Sequence, residues 1–257
     1  YVDQPRAPQN LGGQAAPATR LALDPPKQDA CKVVIGMVDG RLQNLGPQLE
    51  PFIKERISVA GQSTIDTSQP NHPTAMANSI LQAMQSSGKA STSVQIIAVD
   101  VFGVESSANT FNVALGMVTA ANKGATIINA SLGGYGNSPI LSDTTKLLAS
   151  KNIPVFAAVG NDASNKPFYP AADPYVTAIT ASERGRLAAY ANVGTAATIA
   201  APGTVVFSYN SQTYASQGTS VSTALATGVA AGIADANCAP WSQVIPLLQK
   251  NMPVPAP

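Results

Sequence analysis

Lys32-Val33-Val34-Ile35-Gly36-Met37-Val38-Asp39 carries no polar side chain from position 33 to 38 and then stops on a carboxylate. A strand with one wet face alternates apolar and polar residues, whereas a strand covered on both faces does not. This stretch therefore reads as a central strand of a parallel sheet. Similar runs follow at Val94–Val101, Thr126–Asn129, Ile153–Ala158, Tyr175–Thr180 and Thr198–Ala200. Helix-like segments separate them, at about Thr74–Ser86, Asn109–Lys123 and Ser138–Ser150. Such alternation, with right-handed crossovers, predicts an α/β fold: a doubly wound, mostly parallel sheet with helices on both faces. Val205–Ser216 is expected to form a hairpin turning at Asn210-Ser211, followed by helices at Ser220–Ala236 and about Trp241–Gln249.

The 257 residues suit one large domain, expected to span 31–252 between an arm rich in Pro, Gln and Ala (1–30) and a Pro-rich tail (253–257). Charged residues make up only 11% of the chain and the net charge is +1, so no basic patch points to a nucleic-acid partner. No apolar run reaches the roughly 18 residues of a membrane span. The nearest, Thr223–Ala236, is interrupted by Asp235 and reads as a buried helix. Cys31 and Cys238 are too few for a disulfide scaffold or a thiolate metal site. Bridged, they would close nearly the whole domain, worth roughly 4–5 kcal/mol in the chain-entropy model; two unpaired thiols are the alternative.

The chain has one histidine, His72, so any histidine-dependent chemistry runs through it. Pro73 behind it fits a helix start, where a missing N–H costs nothing. Asp39, Ser131 and Asn161 each follow a predicted strand, and in such sheets the carboxyl ends of the strands form the ligand rim. Ser220 closes Gly218-Thr219-Ser220 and opens a helix, which exposes its hydroxyl and aims a backbone N–H at a developing oxyanion. A hydroxyl needs a base beside it to act as a nucleophile, and the base needs a third group to fix its tautomer. Asp39, His72 and Ser220 can supply those three parts.

The ordered segments Val38-Asp39-Gly40, Asn71-His72-Pro73-Thr74, Asn129-Ala130-Ser131-Leu132-Gly133-Gly134, Ala158-Val159-Gly160-Asn161 and Gly218-Thr219-Ser220 resemble those of the subtilisin-like serine proteases. Tyr169-Pro170 and Ala200-Ala201-Pro202-Gly203 add to the likeness, which covers most of residues 32–250. The resemblance implies a serine endopeptidase with Asp39, His72 and Ser220 as catalytic triad and Asn161 as oxyanion donor. It implies an extended peptide or protein substrate lying along Ser131, Leu132, Gly133 and Gly134, along Ala158, Val159 and Gly160, and near Ser107. Phe168 would stand at the floor of the primary side-chain pocket and favour small or medium residues there. The family habit also implies export to a secreted or periplasmic setting, and a zymogen whose propeptide is not part of this chain. The start at Tyr1 fits a processed or trimmed form.

The pattern departs from the family in places. Gly40-Arg41 follows the aspartate, where Ser or Thr and then Gly are usual. Pro73 replaces the usual Gly after the histidine, and Val221-Ser222-Thr223-Ala224 replaces Met-Ala-x-Pro after the serine. Ala77–Ser93 contains no Asp or Glu, so no calcium loop and no cofactor are expected. These departures keep open a pseudoprotease, or peptide-binding module, of the same fold; a transpeptidase is a further alternative, since an amine can also capture an acyl-enzyme. An α/β-hydrolase would need its serine ahead of its histidine. A chymotrypsin-like arrangement using Asp100 would need an all-β chain, and clustered metal ligands are absent from the sequence. An imidazole base works only when neutral, and imidazoles in peptides titrate around 6.5. Activity should therefore fall as pH drops through roughly 6–7; a flat profile down to about pH 4 would contradict a histidine base.

Overall fold

The computed structural model describes residues 2–3, 5–12, 21, 23–24, 26, 31–62, 64–87 and 92–256. The remainder of the N-terminal arm, and Pro257 of the tail, lie outside the described residues. The elements run in the order β1 (Val2–Asp3), β2 (Gln9–Asn10), β3 (Val34–Asp39), β4 (Ile53–Ser58), α1 (His72–Ser87), β5 (Gln95–Asp100) and β6 (Ser107–Ala108). Next come α2 (Thr110–Asn122), β7 (Ile127–Ala130), α3 (Pro139–Ser150), β8 (Val155–Ala158), β9 (Val176–Glu183), β10 (Arg186–Leu187) and β11 (Ile199–Pro202). The chain closes with β12 (Thr204–Tyr209), β13 (Gln212–Gln217), α4 (Thr219–Asn237) and α5 (Trp241–Asn251).

The main sheet has the order β10-β9-β8-β7-β3-β5-β4, with β11 pairing in parallel along β9. Its pairings are parallel throughout except for the short β10. This is the α/β class expected from the strand pattern. All six residues of β3 are buried, and they alternate between two cores. Ile35 and Met37 join the core built with Met76, Ile80 and Leu81 of α1 and Ala224 and Ala231 of α4. Val34 and Val38 join the core built with Val113 and Met117 of α2 and Leu148 of α3. Each such fully buried side chain contributes about 1.5–3 kcal/mol. The continuous apolar run is thus explained by a sheet covered on both faces.

The hairpin β12–β13 turns at Asn210 and Ser211, whose φ angles of 48° and 62° are those of a primed turn. The edge strand β4 escapes the apolar-run criterion because its residues alternate between half-buried and exposed. It carries the charged Lys54, Glu55 and Arg56, of which Lys54 and Arg56 are exposed; Arg56 pairs with Glu50 at 2.6 Å while Glu55 meets Lys123 at 2.8 Å. Charged side chains of this kind protect a sheet edge from further pairing. Cys31 and Cys238 form a disulfide, with Cα atoms 5.0 Å apart, across a separation of 207 residues. It ties the lead-in of β3 to the C-cap of α4. No helix among the described residues is long and apolar enough to cross a membrane.

Helices α1 and α4 cross in close contact. A Cβ added to Gly228 of α4 would stand 2.3 Å from the Ile80 carbonyl oxygen of α1 and 2.8 Å from the Ala83 Cβ. Glycine costs a helix interior about 1 kcal/mol relative to alanine, so its presence here is a packing requirement. Gly228→Ala should lower stability by about 1–3 kcal/mol despite its better helix propensity, read as a fall in denaturant midpoint at unchanged m-value. A variant as stable as the parent would show that the two helices can separate freely.

Candidate active site

The carboxyl end of β3 delivers Asp39, whose side chain is 1% exposed. Its Oδ1 accepts the Gly40 N–H at 2.7 Å. His72 is the first residue of α1, so its ring sits at the rim of the sheet while the helix runs down the face below. Its Nδ1 lies 3.0 Å from Asp39 Oδ1 and 2.9 Å from Oδ2. Asn71 holds the helix start in place: its Oδ1 accepts the Thr74 N–H at 3.1 Å, and its Nδ2 donates to the Arg41 carbonyl at 2.7 Å. The other ring nitrogen, Nε2, is buried and has no hydrogen-bond partner among the described residues. An unmet buried polar atom costs about 1–3 kcal/mol, and it leaves this nitrogen able to receive a proton.

Ser220 is the second residue of α4 and is 8% exposed. Its hydroxyl donates to the Ser131 carbonyl at 2.9 Å, and the Ser131 hydroxyl donates back to the Ser220 carbonyl at 2.9 Å. Asn129 Nδ2 donates to Ser131 Oγ at 3.0 Å, and Thr227 Oγ1 donates to Asn129 Oδ1 at 3.1 Å. These buried bonds clamp the end of β7 to the start of α4. The serine hydroxyl therefore engages a carbonyl, and no hydrogen bond joins it to the imidazole.

Asn161 follows β8, and its Oδ1 accepts from the Thr219 N–H at 2.8 Å and from Thr219 Oγ1 at 3.0 Å. This fixes the amide orientation and leaves Nδ2 as the donor facing the cavity. Gly218, at φ 147°, permits the approach, since a Cβ there would sit 3.2 Å from Asn161 Nδ2. A cavity of about 580 Å³ is lined by His72, Ser131, Leu132, Gly133, Gly134, Ala158, Gly160, Asn161, Phe168 and Ser220. Asp39 stands behind His72. Val159 is fully buried in the sheet, where its N–H donates to the Ile179 carbonyl at 3.1 Å. Ser107 does not line the cavity; it is half-buried in β6, paired with Asp3. Asp100 is a strand-end group, with Oδ1 accepting the Phe102 and Gly103 N–H groups at 3.0 Å each.

Phe168 lies between the two segments that border the cavity. Its Cε1 would be 2.3 Å from a Cβ on Gly133, and its Cδ2 3.1 Å from one on Gly160. Tyr135 meets it edge-on, ring centroids 5.2 Å apart, and donates its hydroxyl to Asp162 Oδ2 at 2.6 Å. Asn192 Nδ2 donates to the same hydroxyl at 3.3 Å, while its Oδ1 accepts the Asp162 and Ser164 N–H groups. Tyr135 was not evident from sequence, where an aromatic after Gly133-Gly134 gives no sign of its partner. Tyr190 also lines the cavity, and burial, reinforced by the Glu183 carboxylate, pushes its phenol well above the usual tyrosine range.

The sequence model of the Subtilase family matches residues 31–248, which contain all of these cavity groups from His72 to Ser220. M-protease from Shouchella clausii (strain KSM-K16) is 34% identical over 155 residues, covering 59% of this chain and 40% of that protein. Subtilisin Savinase from Lederbergia lenta is 34% identical over 155 residues, covering 59% of this chain and 57% of that protein. Less than two-thirds of each of these relatives is therefore matched. Among solved structures, the Prenylagaramide maturation protease PagA superposes with a TM-score of 0.65 at 24% identity, over 82% of this chain and 76% of its own. The self-cleaved protease domain of PatA gives 0.64 at 21% identity, over 80% and 81%. At those identities the two structures bear on the fold, and the fold agrees. With the family's pattern running through the whole of the sheet and both helices that carry His72 and Ser220, this chain belongs to the Subtilase family.

Proposed function

We propose that this chain is a serine endopeptidase that hydrolyses extended peptides through an acyl-enzyme. The observation that carries the reading is the buried imidazole, held on a carboxylate through Nδ1 and open at Nε2, in one cavity with the Ser220 hydroxyl. Ser220 Oγ turns from the Ser131 carbonyl toward His72 and loses its proton to Nε2 as it bonds to the substrate carbonyl carbon. Asp39 holds the imidazole in the correct tautomer and stabilises the imidazolium. Asn161 Nδ2 and the Ser220 N–H receive the developing oxyanion. The C–N bond breaks as His72 returns the proton to the leaving amine. Water, activated by the same imidazole, then cleaves the ester and regenerates the serine. Substrate pairs as an added strand along Ser131, Leu132 and Gly133; the second edge expected at Ser107 and Ala108 is paired with Asp3 and Val2 of this chain.

The hydrogen bond from Ser220 to Ser131 favours one rival, a peptide-binding module whose serine never meets its base. A fluorophosphonate probe separates the two readings. It should label the native chain and leave Ser220→Ala untouched, with casein degraded only by the former. Absence of labelling in the native protein would favour the binding module. Losing one preorganised oxyanion donor costs roughly 10²–10³ in turnover, a magnitude established on subtilisin itself. Asn161→Ala should lower kcat by that order with little change in KM.

The placement of Phe168 between Gly133 and Gly160 supports a shallow primary pocket. The native chain should prefer Ala-sized residues on the acyl side of the scissile bond. Phe168→Gly should raise kcat/KM for Phe or Leu there by about 10-fold or more, since each methylene accommodated is worth roughly 1–3 kcal/mol. An unchanged preference would assign Phe168 to packing alone.

A further inference from the structure

We infer that Gln43 is a positioning residue that registers the His72 imidazole to Asp39, a role that rests on the proposed reading of His72 as the base. Gln43 stands four residues after Asp39 and is 1% exposed. Its Oε1 accepts the Asn71 N–H at 3.0 Å and the Thr74 hydroxyl at 2.7 Å, so one oxygen brackets His72 from both sides along the chain. Its Nε2 donates to the Asp66 carbonyl at 2.6 Å and to the Gln69 carbonyl at 2.8 Å. An amide has two donor hydrogens and two acceptor lone pairs, and here all four are met. Two carbonyls at one end and an N–H at the other fix which way the amide points. A carboxylate would lack the donors, and an ammonium would lack the acceptor.

The first turn of α1 shows why a side chain from elsewhere is needed. Asn71 caps the helix through its side chain, with His72, Pro73 and Thr74 as its first three residues. In a capping box the third of these is Glu or Gln, and it reaches back to the cap's own N–H. Thr74 is too short for that, and its hydroxyl and the Asn71 N–H converge on Gln43 instead. The helix start is therefore registered to the segment that leaves Asp39. That segment is itself fixed to the sheet edge: Arg56 of β4 donates to the Leu42 carbonyl at 3.2 Å and to the Gln43 carbonyl at 3.0 Å. The approach to the helix, residues 66–69, is exposed and has no apolar anchor of its own. The Nε2 bonds hold it on one side, and Tyr209 and Asn210 hold the Thr67 carbonyl on another. Carboxylate and imidazole are thus aligned by one buried amide as well as by their own contact.

The test uses the full chain and Gln43→Met, which keeps the side-chain length and removes all four bonds. Fluorophosphonate labelling should slow by about 10–100-fold, because a misplacement of about 1 Å costs on that order. KM for a peptide substrate should stay unchanged while kcat falls. The far-downfield proton resonance of His72 Nδ1 should broaden or vanish as the ring exchanges with water. Thr74→Val removes a single bond and serves if Gln43→Met does not fold; it should slow labelling by a smaller factor, and native-like labelling there would overturn the inference. In the double variant the Thr74→Val step should cost nothing further, since both changes break the same contact. Tyr209→Phe drops a bond to the same approach loop away from His72 and should label as the native chain does. An unaltered resonance in folded Gln43→Met would overturn the inference, as would equal slowing in Tyr209→Phe. If the native chain does not label at all, the peptidase reading fails by itself. The resonance then decides alone: its loss in Gln43→Met supports the positioning, and its persistence overturns it.

Discussion

The crossing of α1 over α4 is the constraint on which the site depends. His72 is the first residue of one helix and Ser220 the second residue of the other, so the helices' separation sets how far the imidazole lies from the hydroxyl. That separation is fixed deep in the apolar interior, where Gly228 lets the backbone of α4 meet the Ile80 carbonyl. Small side chains along α4, including Ala224, Ala230 and Ala231, are fully buried and keep the approach tight. Close-packed interiors do not deform gradually, so two residues far apart in sequence are held in fixed relation.

Electrostatics then act within that frame. A buried carboxylate is costly unless hydrogen bonds and opposite charge compensate it. Asp39 meets the Gly40 N–H and the imidazole Nδ1, which also fixes the ring's orientation. Nε2 has no partner among the described residues, and the Ser220 hydroxyl is bonded to a backbone carbonyl. On the proposed reading, the serine hydroxyl leaves the Ser131 carbonyl for His72 as the reaction begins.

Much of the sheet was legible because strands covered on both faces carry the unbroken apolar runs of β3, β5 and β8. The edge strand β4 was not, since its half-buried pattern mixes Ile53 and Ile57 with three charged residues. The two-residue strands β1 and β2 pair with segments roughly a hundred and two hundred positions away, and nothing local marks them. The order of Asp39, His72, Asn161 and Ser220 was readable from motifs, as was the rim position of Asn161. The hydrogen bond of Ser220 to Ser131 is a choice of rotamer, which motifs do not encode. The pairing of Cys31 with Cys238 was open because separation along the chain says nothing of separation in space.

One histidine in the chain makes the central claim directly measurable. The proton on His72 Nδ1, held between the ring and Asp39, should give a far-downfield proton NMR resonance that needs no assignment by elimination. The account predicts that this resonance is present in the native protein and lost in Asp39→Asn. Its absence from the native spectrum in the folded protein, at every pH where the fold persists, would contradict the carboxylate–imidazole pairing from which the rest is built.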